Sequence, residues 1–268
     1  MNYRHAFHAG NFADLVKHAA LLELLARLPR PLSVIDTHAG RGLYDLAGPE
    51  ARKSGEADAG IARLLAAEAP PAFDRLKAAV RRLNGGGPLQ RYPGSPLLIV
   101  DALGGKGVYL GCELRPEEHA ALRGALKGRK SVQTEAADGY RAAVAHCPSR
   151  GDVLVLIDPP FERADDYERI VDTIADVRRH NPAAVALIWL PLKDLATFDA
   201  FLRDIEDVSD DLLVCETRIR PLTDPLKMNG CALVLVGGPP GMESICKEVG
   251  DWIAANLGEA GEARVYRP

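Results

Sequence analysis

Cationic excess and cysteine are both scarce in this sequence, and a long apolar run is missing altogether. Lysine and arginine together number 33 against 37 aspartates and glutamates, a formal net charge of −4. Broad, non-specific grip on nucleic acid depends on neutralising phosphates and calls for the opposite balance. Any nucleic-acid partner must therefore be met by local basic groups. Arg27, Arg30, Lys77, Arg81, Arg82 and Arg91 are one such set, and Arg123, Lys127, Arg129 and Lys130 a second. Each cluster taken singly reads first as a solvated helix face. The five cysteines are odd in number and lack CxxC spacing, which argues against a disulfide framework or a zinc site and for reduced, mostly buried thiols. No stretch approaches the length of a membrane span, and Arg4, His5 and Asp14 break any signal-peptide core. Repeats and low-complexity segments are absent too. The composition itself, 268 residues with 47% hydrophobic and 26% charged, suits a cytoplasmic enzyme built as one α/β domain with an insertion.

The most informative stretch is Asp158-Pro159-Pro160-Phe161, directly after Val153-Leu154-Val155-Leu156-Ile157. Five apolar residues in a row describe a strand buried on both faces. The two prolines cannot continue it, since each lacks an N–H and biases its predecessor away from helix. A stiff turn then holds a carboxylate, free carbonyls and an aromatic ring at the carboxyl end of a central strand, where open α/β sheets bind ligands. The Asp158 carboxylate and the Pro159 carbonyl are acceptors suited to an amine with two N–H donors, and Phe161 offers a face for a planar base. The same four residues also fit a turn whose aspartate merely caps the next segment.

Taken in order, the chain opens with Tyr3, His5, Phe7 and His8, an aromatic composition unlike that of a free tail. Asn11 is placed as an N-cap with Asp14 in capping-box position, predicting a helix to about Leu28. Lys17 and His18 are expected to project near one rim of it. Leu32–Ile35 is a strand, ending in Asp36-Thr37-His38-Ala39-Gly40-Arg41-Gly42. An acid at a strand end followed by G-x-G is how class I methyltransferases approach S-adenosylmethionine, the glycines permitting close backbone contact. A dinucleotide fingerprint would want glycine at position 45, where Asp45 stands.

The next strand, ending in Glu113, comes far later than the usual interval. Residues 48–92 are read as a helical insertion with a basic excess, set between a core portion at 1–47 and the remainder at 93–268. Pro93-Gly94-Ser95-Pro96 returns the chain to the sheet. Strands are expected at 131–135, 153–157 and 184–190, with Asp138-Gly139 after the first of these, where class I methyltransferases often meet adenine. Two final runs, Leu212 to Ile219 and Cys231 to Val236, have no helix between them, predicting an antiparallel hairpin at the sheet edge.

On these residues the chain resembles the RlmJ family of 23S rRNA adenine-N6 methyltransferases. The most specific matches are Tyr3-Arg4-His5-Ala6-Phe7-His8-Ala9-Gly10-Asn11, Lys17-His18, Asp36-Thr37-His38-Ala39-Gly40, Pro93-Gly94-Ser95-Pro96, Ala137-Asp138-Gly139 and Asp158-Pro159-Pro160-Phe161. The resemblance implies a Rossmann-like class I methyltransferase fold, with a mostly parallel seven-stranded sheet and an antiparallel edge hairpin. It implies methyl transfer from S-adenosyl-L-methionine to the N6 of a single adenine in 23S rRNA, adenine 2030, by a monomer that needs no metal and no obligate protein partner. His18, His38, Gly40, Ser95, Glu113, Asp138 and Gly139 would contact the cofactor, and Asp158 would be the catalytic carboxylate. Tyr3, His5, Lys17, Pro159 and Phe161 would meet the substrate. Phe161 stands where relatives commonly carry tyrosine, so stacking survives and a hydroxyl contact does not. Methylation of adenine in DNA or of a protein glutamine uses the same turn, and a non-catalytic RNA-binding protein could share the scaffold.

Overall fold

The computed structural model describes residues 4–223 and 228–268, so Tyr3 lies outside the described residues. A 3-10 turn (His5–Phe7) precedes α1 (Phe12–Arg27) and β1 (Leu32–Asp36). Next come β2 (Leu43–Asp45), α2 (Pro49–Ser54), a π-helical turn (Asp58–Ala62), α3 (Arg63–Ala66), α4 (Asp74–Leu83) and β3 (Arg91–Pro93). The core resumes with α5 (Ser95–Leu103), β4 (Gly107–Cys112), α6 (Pro116–Ala125), β5 (Val132–Glu135), α7 (Gly139–His146), β6 (Asp152–Ile157), α8 (Asp166–His180), β7 (Val185–Pro191) and α9 (Leu195–Glu206). It closes with β8 (Leu212–Arg218), β9 (Gly230–Val236), α10 (Met242–Leu257) and β10 (Glu262–Tyr266).

The main sheet runs β10-β8-β9-β7-β6-β1-β4-β5. Strands β5, β4, β1, β6 and β7 are mutually parallel, whereas β9, β8 and β10 add antiparallel neighbours. This is the Rossmann-like class I arrangement with one strand more than expected: eight, not seven. The additional strand, β10, alternates charged and apolar residues, is half-exposed and pairs along β8. The β8–β9 hairpin is therefore one strand in from the edge. Because β1 pairs with β4 on one side and β6 on the other, the topological switch point lies at its carboxyl end.

Both faces of the sheet are covered, which is why its strands read as unbroken apolar runs. On β6, Leu154 and Leu156 point into the core shared with α1, α5 and α10, whereas Val153, Val155 and Ile157 point to the core under α7, α8 and α9. The insertion joins the first core through Ile61, Leu64, Phe73, Leu76 and Val80. Its base is closed by the antiparallel β2–β3 pair, with Leu43 opposite Pro93, so the chain leaves and returns at one point.

Helix α1 is enclosed by the sheet, the insertion and α10. Fourteen of its sixteen residues are buried, and Lys17 and His18 are interior groups rather than a rim. Asn11 caps it as expected, accepting from the Asp14 N–H at 3.0 Å. The reciprocal bond falls one residue early: the Asp14 carboxylate accepts from the N–H of Gly10 at 2.9 Å.

Candidate active site

A cavity of about 800 Å3 opens at the carboxyl ends of β1, β4, β6 and β7, in the upper part of the range for small-molecule sites. All the predicted site residues that the structure describes line it. Beside Asp158 the organising group is Lys17, whose side chain is 6% exposed and whose Nζ lies 2.5 Å from Asp158 Oδ2 and 3.0 Å from Asp14 Oδ1. Burial opposes its charge, but the carboxylates of Asp158 and Asp14 outweigh burial and hold its pKa well above the ordinary lysine value. Asp14 accepts further from His5 Nε2 at 3.0 Å. Burial would raise its pKa, yet His5 and Lys17 together hold it well below the usual carboxylate range. One buried aspartate thus ties the N-terminal segment to the lysine that reaches Asp158. Sequence reasoning gave Asp14 a capping role and placed it on one helix face with Lys17 and His18 by its spacing of three and four, but assigned it no part in the site.

The turn after β6 is bent further than its prolines require. Phe161 adopts φ 50°, a left-handed conformation that costs a non-glycine residue about 1–3 kcal/mol. Its ring packs against Tyr167 and Trp189, at centroid distances of 4.9 and 6.0 Å, while still lining the cavity beside the buried Pro159.

At the carboxyl end of β1 the cavity wall is backed by Asp36, which is fully buried. It accepts from the hydroxyls of Ser95 at 2.8 Å and Tyr109 at 3.1 Å, and burial lifts its pKa to about 6. Its other oxygen is buried with no donor among the described residues. Ser95 therefore aims its hydroxyl at Asp36. Gly40, at φ 59°, lies where any Cβ would meet the Tyr44 hydroxyl. The Glu113 carboxylate is pushed up by burial and steadied by the N–H groups of Arg115 and Gly40. Asp138 caps α7 and takes the Arg169 guanidinium at 2.6 Å. Burial would raise Asp138, but Arg169 and the cap bonds lower it. Gly139 is obligatory, since a Cβ would run into the Thr37 carbonyl.

Two histidines are neutral. Burial brings His18 to about 3 and His38 to about 4. His18 Nδ1 is 2.8 Å from the Tyr92 hydroxyl, and His38 Nδ1 is 2.8 Å from Thr37 Oγ1 with its ring edge-on to Tyr140. The Arg169–Asp138–Tyr140 cluster, with Tyr140 donating to Asp166 at 3.1 Å and the guanidinium 4.3 Å from the Tyr140 ring centre, left no sequence signature, because its members are brought together only by the packing of α7 on α8.

A family model described as "Ribosomal RNA large subunit methyltransferase D, RlmJ" matches residues 29–267. The chain belongs to that family. It is 31% identical to the ribosomal RNA large subunit methyltransferase J of Escherichia coli, over 97% of this chain and 95% of that one. The corresponding protein of Haemophilus influenzae is 32% identical over 96% and 94%. A crystal structure of a Legionella pneumophila protein superposes with a TM-score of 0.89 at 28% identity, over 97% of this chain and 98% of that one.

S-adenosylmethionine is the cofactor of this family, and the site fits it. Asp36 lies behind the cavity wall and holds the hydroxyl of Ser95, which itself lines the cavity. The bare backbone at Gly40 and Gly139 permits close approach, and Glu113 presents a carboxylate of the kind that binds ribose hydroxyls.

Proposed function

We propose that this RlmJ-family protein methylates the exocyclic N6 of a single adenine in 23S rRNA, by resemblance adenine 2030, acting in the cytoplasm with Asp158 as the catalytic carboxylate. The observation that carries this reading is the position of Asp158: at the end of β6, in the cavity wall, with Lys17 Nζ 2.5 Å from its Oδ2. The names of the relatives support an RNA of the large ribosomal subunit over DNA or protein as the target.

When bound, the cofactor supplies an electrophilic methyl group on a sulfonium. The residues must make a poor nucleophile attack it, because the adenine amine's lone pair is delocalised into the ring. Asp158 accepts one N–H and the Pro159 carbonyl the other, turning the nitrogen towards tetrahedral geometry and aiming its lone pair. Such fixed orientation and charge carry most of the rate enhancement. Phe161, backed by Tyr167 and Trp189, gives the extruded base a stacking face. The methyl group would pass from the sulfonium to N6, and Asp158 would take the proton that N6 then sheds. Lys17, held on Asp14, fixes the position of the Asp158 carboxylate. His5, on Asp14, brings the N-terminal segment over the same end.

Asp158→Asn keeps the shape and removes the charge. It is predicted to bind S-adenosylmethionine within a few-fold of the parent by calorimetry while turnover falls by about 10²-fold or more. Near-parental turnover would remove Asp158 from the reaction.

A further inference from the structure

The cations around this cavity fall into two groups. Arg115, Arg163 and Arg169 each lie on a carboxylate, of Glu117, Asp165 and Asp138 respectively. Arg63, Lys193 and Arg220 also line the cavity, but none forms an ion pair with a described residue. They come from separate elements of the chain. Arg63 opens α3, in the insertion. Lys193 and Arg220 flank the start of β9, where the Leu192 N–H donates to the Gly230 carbonyl and the Arg220 N–H to that of Asn229. The Arg220 Nε is buried with no acceptor among the described residues. Arg63 and Lys193 are exposed.

From this contrast we infer that Arg63, Lys193 and Arg220 form a phosphate-binding arc that holds the RNA backbone on either side of the extruded adenosine. The inference rests on the rRNA reading of the site. In a chain of net charge −4, cations left without an ion pair among the described residues in the wall of the catalytic cavity are placed for polyanion contact. The ligand is the phosphodiester group, which offers Arg220 the acceptor its Nε lacks and suits the fork geometry of arginine. The two basic clusters evident in the sequence are not equivalent to this arc: Arg82 and Arg129 both end on Asp101, near the carboxyl end of α5 and away from the cavity mouth. Glu56, also at the cavity, is engaged by His8 and Asn11. Glu259 is the acidic residue that shares the Arg220 side, its N–H donating to the Ile219 carbonyl.

The test is binding of in vitro transcribed 23S rRNA across a salt series, with Arg63→Ala, Arg220→Ala and the double variant, and Arg179→Ala on α8 as a distant control. Each arc substitution is expected to reduce the slope of log K against log salt by about 0.7–0.9. It should also raise KM for RNA while kcat at saturating RNA and the Kd for S-adenosylmethionine stay within about twofold of the parent. Glu259→Gln should tighten binding at low salt. Unchanged slopes and KM in the double variant, with its thermal midpoint intact, would overturn the arc. If instead the parent neither binds nor methylates the transcript, the rRNA reading itself fails, which is a distinguishable result.

Discussion

Lys17 is held between two carboxylates, and its removal has consequences for both folding and chemistry. In Lys17→Met, Asp14 stays buried beside Asp158 without its principal cation, an arrangement expected to cost on the order of 3 kcal/mol. Neutralising Asp14 as well, in Lys17→Met/Asp14→Asn, should recover part of that loss in urea unfolding; a double variant worse than the sum of the singles would contradict the pairing. Asp36 makes a pH-dependent prediction. Its pKa is about 6 in the folded protein against an ordinary value of 3.8. Above about pH 6 both folded and unfolded states are ionised, and the folded state carries the cost of a buried charge. Between about 6 and 4 the folded state alone takes up the proton, so that cost is relieved. Asp36→Asn should therefore be more stable than the parent near pH 8, by up to about 3 kcal/mol, with the gap closing as pH falls towards 4. A gap independent of pH would show that the charge is not the cause. Asp158 and Glu113 stood out in the sequence because each comes after an apolar strand, and Asp138 because an Asp-Gly pair follows a short strand. Asp14 did not, because an acid three residues after an N-cap has an ordinary explanation in helix capping.

At the scale of elements, the N-termini of α1 and α7 set the site. Gly139 opens α7 against the Thr37 carbonyl, so Gly139→Ala must push the helix away from β1. It is predicted to lower the thermal midpoint by several degrees, at roughly 2–4 °C per kcal/mol for a chain of this size, and to weaken cofactor binding. An unchanged midpoint would mean that this junction yields freely. The buried strands and the helices after them were legible because burial on both faces writes continuous apolar runs. Strand β10 was not, since Glu262-Ala263-Arg264-Val265-Tyr266 is short, charged and half-exposed. Nor were β2 and β3, each three residues long and stable only as a pair across the whole insertion. The enclosure of α1 was hidden for a related reason: helical periodicity marks one buried face, and the second depends on an insertion whose docking is non-local.

Across the whole molecule, the N-terminal segment, the insertion and the sheet meet at the cavity. The Gly10 carbonyl accepts from the Ile61 N–H at 2.9 Å, and its N–H goes to Asp14, so from Gly10 onward the segment is part of the fold. Residues before Ala9 contribute His5 and His8 to Asp14 and Glu56. Deleting residues 1–8 is accordingly predicted to abolish most turnover while shifting the thermal midpoint only modestly; full activity in the truncated protein would detach this segment from catalysis. The central claim is methylation of adenine N6 in large-subunit rRNA through Asp158. Its most direct test is incubation of deproteinised 23S rRNA with the protein and methyl-labelled S-adenosylmethionine, then digestion and mass spectrometry of the nucleosides. The account predicts label in N6-methyladenosine with the parent and none with Asp158→Asn. Label in any other nucleoside, or equal labelling by the variant, would contradict it.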